Sequence, residues 1–325
     1  MNAPMGLRSK VDEYIAERRR LGFELTNMAL ALASFASFVD QINHQGPLTI
    51  ELMADWARQD KAQRNCLPTC ARRLKILRPF ARWLRQFEPN TAIPDALTFG
   101  PVPGRVAPHI YREAEIVELL AAAHQLNPQG SLRPATYETL FGLIASAGLR
   151  VSEALSLLDS DVDLINGTLT VRQTKFAKSR QLPLHPSTTA ALGRYRQLRR
   201  RHSCTAIHTR FFVGSQGCRL GEPLGGHQVR MVFNQLRNKL GWKNRGAHDN
   251  PRIHDLRHSF AVRRVMLWHE QGIDVDQAML ALSTYLGHAK ISNTYWYLTG
   301  VPELMALVGG KFENFAERPE NYDEQ

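Results

Sequence analysis

Apolar residues recur at helical spacing through most of the chain. Residues 8–40 begin polar and basic, with Arg18-Arg19-Arg20, and turn into LTNMALALASFASFVDQI. There Leu30, Leu32, Phe35 and Phe38 keep a helical rhythm until Asn43-His44-Gln45-Gly46-Pro47 stops the element. Thr49 is placed to cap a helix carrying Leu52, Met53 and Trp56. Pro68-Thr69 opens another, in which Cys70, Leu74 and Leu77 alternate with Arg72, Arg73, Lys75 and Arg78. Phe80 to Phe87 reads as a last short helix, and together these elements predict a small helical domain. The stretch 89–109, with five prolines and two glycines between apolar runs, reads as a linker.

Beyond the linker, Tyr111-Arg112-Glu113-Ala114-Glu115 leads into the helix IVELLAAAH. Thr136 to Ala147 (TYETLFGLIASA) has the character of a buried helix, which Gly148 closes or turns before Arg150 to Leu158 starts the next. Leu164-Ile165-Asn166-Gly167 is a strand–turn signal; LTVRQ follows it, and RQLPL follows the loop 174–179. A small antiparallel sheet is predicted here. Helical segments return at Pro186–Arg200, His227–Leu240, Pro251–Trp268 and Val275–Leu286, the last followed by Gly287-His288. No internal repeat interrupts the pattern.

Charge narrows the partner. The 325 residues suffice for two domains, and 41 Lys+Arg against 30 Asp+Glu give a net charge of +11, which suits a polyanion. Residues 1–100 hold 14 basic and 10 acidic residues and the tail 309–325 two basic and five acidic, so most of the surplus lies between. Arg194, Arg196, Arg199, Arg200 and Arg201 read as solvated or phosphate-facing in equal measure. The cysteines Cys66, Cys70, Cys204 and Cys218 have no zinc-site pairing and no redox Cys-x-x-Cys spacing. With no signal-type apolar core and no membrane-length apolar run, a soluble cytoplasmic protein is expected.

Candidate chemistry gathers late in the chain. His254-Asp-Leu-Arg257 puts two cationic-capable side chains on one helical face; His288 and the run Tyr295-Trp296-Tyr297 follow, and Arg150 and Lys175 lie upstream. Singly, each has an ordinary reading as a salt-bridge residue, loop lysine, core histidine or core aromatic. His254 and His258 have the spacing of two metal ligands on one face, but no glutamate stands between them and an arginine inside the cluster would repel a metal. Two-metal chemistry would need clustered acids, which these cationic segments lack. Cations around a tyrosine answer another problem. Phosphodiester cleavage loads charge onto non-bridging oxygens, which guanidinium forks match. A tyrosine hydroxyl needs its proton removed or its anion stabilised, and the departing 5′ oxygen needs a proton.

The chain resembles the tyrosine recombinase (phage integrase) family, which shares its catalytic chemistry with type IB topoisomerases. The matching runs are ASAGLRVSEALSL around Arg150, TKFAKSRQLPL around Lys175, IHDLRHSFA around His254 and Arg257, and YLGHAKISNTYWYL with His288 and Tyr297. They lie in family order and cover residues 108–300; the helical region 1–90 resembles the core-binding domain more loosely. The resemblance implies a mainly α chain: a helical core DNA-binding domain (1–95), a linker (96–108), a mixed α/β catalytic domain, mostly helical with a small antiparallel sheet (109–308), and an acidic tail (309–325). It implies a C-shaped clamp on DNA.

It also implies roles. Arg150 and Arg257 would hold the scissile phosphate, Lys175 would protonate the leaving 5′ oxygen, and His254 would be base or proton relay. His288 would hydrogen-bond a phosphoryl oxygen and Tyr297 would attack. Glu153 and His258 would support the site, and Arg72, Arg73, Lys75, Lys178, Arg180 and Arg230 are candidate DNA contacts. Tyr295 competes with Tyr297 and Lys178 with Lys175; the interval from His288 and the hairpin run Arg180–Leu184 favour Tyr297 and Lys175. The interval between Arg257 and His288 is longer than in compact members and reads as a longer helix or loop. The segment 301–325 resembles the C-terminal piece that docks on a neighbouring protomer, the alternative being a helix packed on its own chain with an acidic, flexible end.

The implied activity is site-specific strand exchange through a 3′-phosphotyrosine and a Holliday junction, without metal, ATP or other cofactor. The implied partners are double-stranded DNA with an inverted-repeat core site and three further copies in a homotetramer. A similar two-domain plan serves dimer resolution, plasmid resolution and movement of small mobile elements or cassettes. A monomeric type IB-like relaxing enzyme and an inactive DNA-binding protein are the alternatives.

Overall fold

A computed structural model describes residues 6–59, 66–102, 104–172, 179–202, 210–215, 217–288 and 290–299; of Cys218, Asp276 and residues 297–299 it describes the backbone alone. The chain divides into two compact units, Met1–Arg105 and Val106–Gln325. The first contains α1 (Leu7–Arg20), α2 (Thr26–Gln41), α3 (Ile50–Arg58) and α4 (Leu67–Leu84). Its core interlocks aromatic rings: Tyr14 meets the edge of Phe80, and Phe35 meets the edge of Trp56, each pair about 5.5 Å between centroids. Thr49 caps α3 by accepting the N–H of Leu52 at 3.2 Å, as its position in the sequence predicts.

Three expectations for this unit change. Phe80 to Phe87 is not a separate helix, because α4 runs unbroken through Pro79. A proline inside a helix removes one hydrogen bond and crowds the preceding turn; burial of Leu77, Phe80, Ala81, Trp83 and Leu84 on one side of α4 offsets that cost. Leu30 fits the apolar rhythm but faces outward, 68% exposed, while Leu32, Phe35 and Phe38 go inside. Arg73 folds back on Trp56, 4.3 Å above its ring, and donates to the carbonyls of Trp56 and Gln59. Arg72, Lys75 and Arg82 stay exposed on α4, which carries no acidic residue.

The second unit contains α5 (Glu113–His124), α6 (Leu132–Ala147), α7 (Val151–Ser156), β1 (Val162–Asp163), β2 (Thr168–Val171), β3 (Arg180–Pro183), α8 (Pro186–His202), α9 (Gly226–Leu240), α10 (Ile253–Glu270), α11 (Val275–Leu286) and α12 (Ser292–Thr299). The expected small antiparallel sheet is present, in the order β1-β2-β3, with Val162 opposite Leu169 and Val171 opposite Arg180. Alternation sends Leu169, Val171 and Leu182 inward. The longer interval after Arg257 is filled by the continuation of α10 to Glu270, a turn, and α11.

Two apolar clusters build the unit: one around Leu140, Phe141, Ile144, Phe212 and Phe233, the other around Val262, Val265, Met279 and Leu286, with Tyr295 and Trp296 packed on it. Of the α8 arginines, Arg196 and Arg199 are neither solvated nor phosphate-facing. Both pair with Asp159, and Arg199 also donates to the carbonyls of Arg210 and Phe211. No described helix is long and apolar enough to cross a membrane.

Phe141 is fully buried with its ring edge-to-face on Phe233. Phe141→Ala should cost roughly 3–5 kcal/mol, lowering the Tm of the second unit by roughly 6–20 °C in calorimetry.

Candidate active site

The site is assembled where three chain reversals meet. Helix α6 ends at Gly148, whose φ of +61° is left-handed and whose Cβ, if it had one, would stand 2.4 Å from the Phe260 ring. That turn delivers Arg150 to the N-cap of α7, where Glu153 accepts its backbone N–H at 2.9 Å. Helix α10 begins at Ile253, with Asp255 reaching back to the N–H of Arg252 at 2.9 Å, so His254 and Arg257 fall in its first turns. Helix α11 ends in a second left-handed glycine, Gly287 at φ +67°, followed by His288 and then α12.

Three guanidinium groups grip the last carbonyls of α11. Arg180 donates from Nε to the Tyr285 carbonyl at 2.7 Å, Arg257 from Nη2 to Leu286 at 2.6 Å, and Arg150 from Nη2 to Gly287 at 3.2 Å. A helix C-terminus carries partial negative charge, which suits cations there. Arg257 also donates to the Gly148 carbonyl at 2.7 Å, tying the first reversal to the last. One carboxylate serves all three. Glu153 holds Arg150 at 2.7 Å, Arg180 through both its oxygens at 3.0 and 3.2 Å, and lies 3.7 Å from Arg257. Burial works to raise the Glu153 pKa, but hydrogen bonds from Arg180 and the Arg150 N–H, with the charges of both arginines, leave it below the usual carboxylate value. The ionised cluster therefore keeps a net positive charge of two.

The histidines occupy distinct settings. His288 lies 3.1 Å from Arg257 through Nε2 and 2.7 Å from the Thr294 hydroxyl through Nδ1. His254 and His258 pack edge-to-face with centroids 4.7 Å apart, and His258 in turn meets the Trp296 ring. Partial desolvation, then Arg257, Arg252 and Arg150, press the pKa of solvent-exposed His254 down to about 4, an effect that water on its open side screens in part. Buried His258 is driven further, to about 2, by desolvation and by the cationic neighbours around it. Among the described residues no three His, Cys, Asp or Glu side chains form a metal-holding cluster.

Of the residues singled out from sequence, Arg150, Glu153, His254, Arg257, His258 and His288 come together. Lys175 and Lys178 lie outside the described residues, as does the tail 309–325, and Tyr297 is described as a backbone position on α12. Arg180, read above as a DNA contact, is turned inward onto Glu153 with 12% of its side chain exposed. The signal for that was available, since Arg180 shares its strand face with buried Leu182. Arg230 is exposed on α9. Thr294 and Gly287 were not singled out for the site, and only their proximity to His288 in the chain hinted at it.

Comparison with known proteins fits this geometry. The family model for the phage integrase family matches residues 110–301. A protein of Sinorhizobium fredii named as an integrase/recombinase, y4rB, is 39% identical over 302 residues, covering 92% of this chain and 94% of its own. A tyrosine recombinase XerC of Rhodospirillum centenum is 31% identical, covering 82% and 74%. In fold, the chain is similar to the Tn1549 transposon integrase in complex with circular intermediate DNA (TM-score 0.64, 16% identity, 95% and 100% covered). It is also similar to the XerH site-specific recombinase bound to a palindromic difH substrate (TM-score 0.62, 18% identity, 94% and 85% covered). The chain belongs to the phage integrase family, the tyrosine-type enzymes of DNA recombination and integration.

Three expectations concern stability. Below its ordinary pKa of 6.5 the unfolded His258 gains a proton that the folded ring refuses down to about pH 2, so the unfolded state binds more protons and stability falls with pH in that window. At pH 5 the loss is roughly 2 kcal/mol, and His258→Gln should remove that much of the difference in urea unfolding free energy between pH 7 and 5. Arg180→Ala strips Glu153 of its two-oxygen partner and should cost roughly 3 kcal/mol in the same assay. Arg230→Ala, on an exposed helix face, should stay within about 0.5 kcal/mol.

Proposed function

We propose that this protein is a site-specific DNA recombinase that cuts and rejoins strands through a 3′-phosphotyrosine. The observation that carries the reading is the convergence of Arg150, Arg257 and His288 on the last turn of α11, immediately before the helix that contains position 297. Their excess positive charge suits a phosphodiester, whose charge grows in the transition state.

In this reading Arg150 and Arg257 hold the non-bridging oxygens of the scissile phosphate, and His288 gives one a hydrogen bond from Nε2. The Tyr297 oxygen attacks phosphorus while its proton passes to His254. That histidine is neutral at pH 7, and a bound phosphate raises its proton affinity. The bond from phosphorus to the 5′ oxygen breaks, and Lys175 supplies the proton which that oxygen needs. Glu153 orients the arginines, and His258, packed between His254 and Trp296, holds the base in place. Since each cleavage stores its bond as a phosphotyrosine ester, the reverse attack by a 5′ hydroxyl restores DNA without ATP, a metal or another cofactor. When the attacking hydroxyl belongs to a second duplex, the product is a Holliday junction.

Two duplexes cut in pairs require four active sites, hence a homotetramer on a core site with inverted repeats. The helical region 1–95 would act as the core DNA-binding domain, joined by 96–108 to the catalytic domain 109–308. The exposed, acid-free face of α4 with Arg72 and Lys75 supports that assignment, and Arg230 and Lys178 are the matching candidates in the second unit. Action on the genome, or on a mobile element within it, gives a cytoplasmic, nucleoid-associated protein.

Tyr297 is favoured over Tyr295 because Tyr295 is packed on the α10–α11 cluster, whereas position 297 lies three residues after Thr294, on the helical face that meets His288. A nicked suicide duplex made from the DNA flanking the gene tests this. Wild type should become covalently trapped at an inverted repeat, with two duplexes synapsed, and Tyr297→Phe should abolish the adduct while DNA binding persists. Loss of the adduct in Tyr295→Phe instead would reassign the nucleophile, and unspecific relaxation of plasmids by a monomer would replace recombination altogether.

A further inference from the structure

His288 stands between one partner of fixed character and one of free character. A guanidinium can only donate, so Arg257 gives its N–H to the Nε2 lone pair 3.1 Å away. A neutral ring accepting at Nε2 carries its proton on Nδ1, and that proton points at the Thr294 hydroxyl oxygen 2.7 Å away. The hydrogen bond assigned to His288 above runs the other way, from an Nε2 proton to a phosphoryl oxygen. Between the two arrangements the ring must exchange tautomers, and whatever faces Nδ1 must change from acceptor to donor.

We propose that Thr294 is a positioning residue that lets His288 exchange tautomers as the phosphate arrives; this rests on the reading of His288 just given. A hydroxyl accepts through its oxygen and donates by rotating its proton, without moving the heavy atom. A carbonyl or an ionised carboxylate only accepts, and an amide N–H only donates, so each would trap the ring in one form. The oxygen is well anchored for the task. Thr294 is fully buried, and its N–H is bonded to the Ile291 carbonyl at 2.7 Å in the first turn of α12. Before DNA binds, Nδ1–H donates to Oγ1 and Arg257 satisfies Nε2. Once Arg257 turns that N–H to the phosphate, Oγ1–H donates to Nδ1 and Nε2–H is directed at the phosphoryl oxygen. The ring takes a proton from water at Nε2 and releases its Nδ1 proton to water, so the two end states have the same proton count and charge.

Two substitutions separate the hydroxyl from the shape it fills. Thr294→Val keeps the branched outline and loses the hydroxyl; Thr294→Ser keeps the hydroxyl and loses a buried methyl. On the nicked suicide duplex at saturating DNA, valine should slow covalent adduct formation roughly tenfold or more, with duplex affinity unchanged, and serine should stay within roughly threefold of wild type. A purely structural role gives the opposite order, because serine leaves the cavity. Independently, ¹⁵N NMR of the full-length DNA-free protein, with His288 assigned from its loss in His288→Gln, should find the Nδ1–H tautomer. An Nε2–H ring, or a valine variant as fast as wild type, overturns the proposal. Absence of any adduct with the wild-type protein would instead overturn the recombinase reading, and the NMR result would still decide the tautomer.

Discussion

Packing three guanidinium groups against one another is the constraint around which the second unit is built. Arg150, Arg180 and Arg257 all reach the end of α11, and Arg257 does so with 1% of its surface exposed. Buried charge of one sign is tolerated only if it is paired and fully hydrogen-bonded. Glu153 supplies the charge, and the carbonyls of Gly148, Tyr285, Leu286 and Gly287 supply acceptors that a helix end has to spare. Neither source neutralises the cluster. The proposed function would need the cations fixed but not cancelled, and carbonyl dipoles fix them without subtracting charge.

That arrangement dictates local backbone elsewhere. Gly148 and Gly287 are the two left-handed residues beside the cluster, and each is closed to a side chain, by the Phe260 ring and by the Arg180 guanidinium. Their carbonyls point at arginines because the turns reverse the chain there. Most of the first half of α10 is buried, and its charged residues Asp255 and Arg257 are held by Arg252 and by the carbonyls of Gly148 and Leu286. Tyr111 adds a brace, its N–H donated to Ser259 at 2.7 Å and its hydroxyl to the Arg252 carbonyl at 3.1 Å. Rotation of α10 about its axis would break the brace and the arginine contacts together.

Periodicity exposed most of this fold before any coordinates. Thr49, strands β2 and β3, and helices α6, α10 and α11 follow from apolar spacing and from capping or turn residues, which are local properties, whereas Leu164-Ile165, expected to open the sheet, form the turn after β1. What spacing missed depends on contacts far apart in sequence. Pro79 reads as a break, and it is a tertiary core that carries α4 through it. Leu30 matches the helical rhythm, yet no described residue covers its side of α2. Arginines were the least legible, because the residue type is equally suited to phosphate, carboxylate and carbonyl. Asp159 and nearby backbone carbonyls decide Arg196 and Arg199, and Glu153 with the Tyr285 carbonyl decides Arg180. For Arg150, Glu153, His254, Arg257, His258 and His288 the order of motifs indicated that they meet, and the geometry adds what each is bonded to.

The bonding matters because a reversible enzyme must favour neither side of its reaction. A site complementary to the intact phosphodiester alone would hold substrate and slow both cleavage and rejoining. Here Arg257 already has backbone partners on Gly148 and Leu286, so its position is set before any phosphate arrives. In the proposed reaction its contact with His288 is the one that a phosphoryl oxygen would replace, trading a nitrogen acceptor for an anionic oxygen. That gain would rise as negative charge accumulates on the oxygen, in cleavage and in rejoining alike. A lysine could carry the same charge, but it could not hold two carbonyls and a ring nitrogen in a fixed plane.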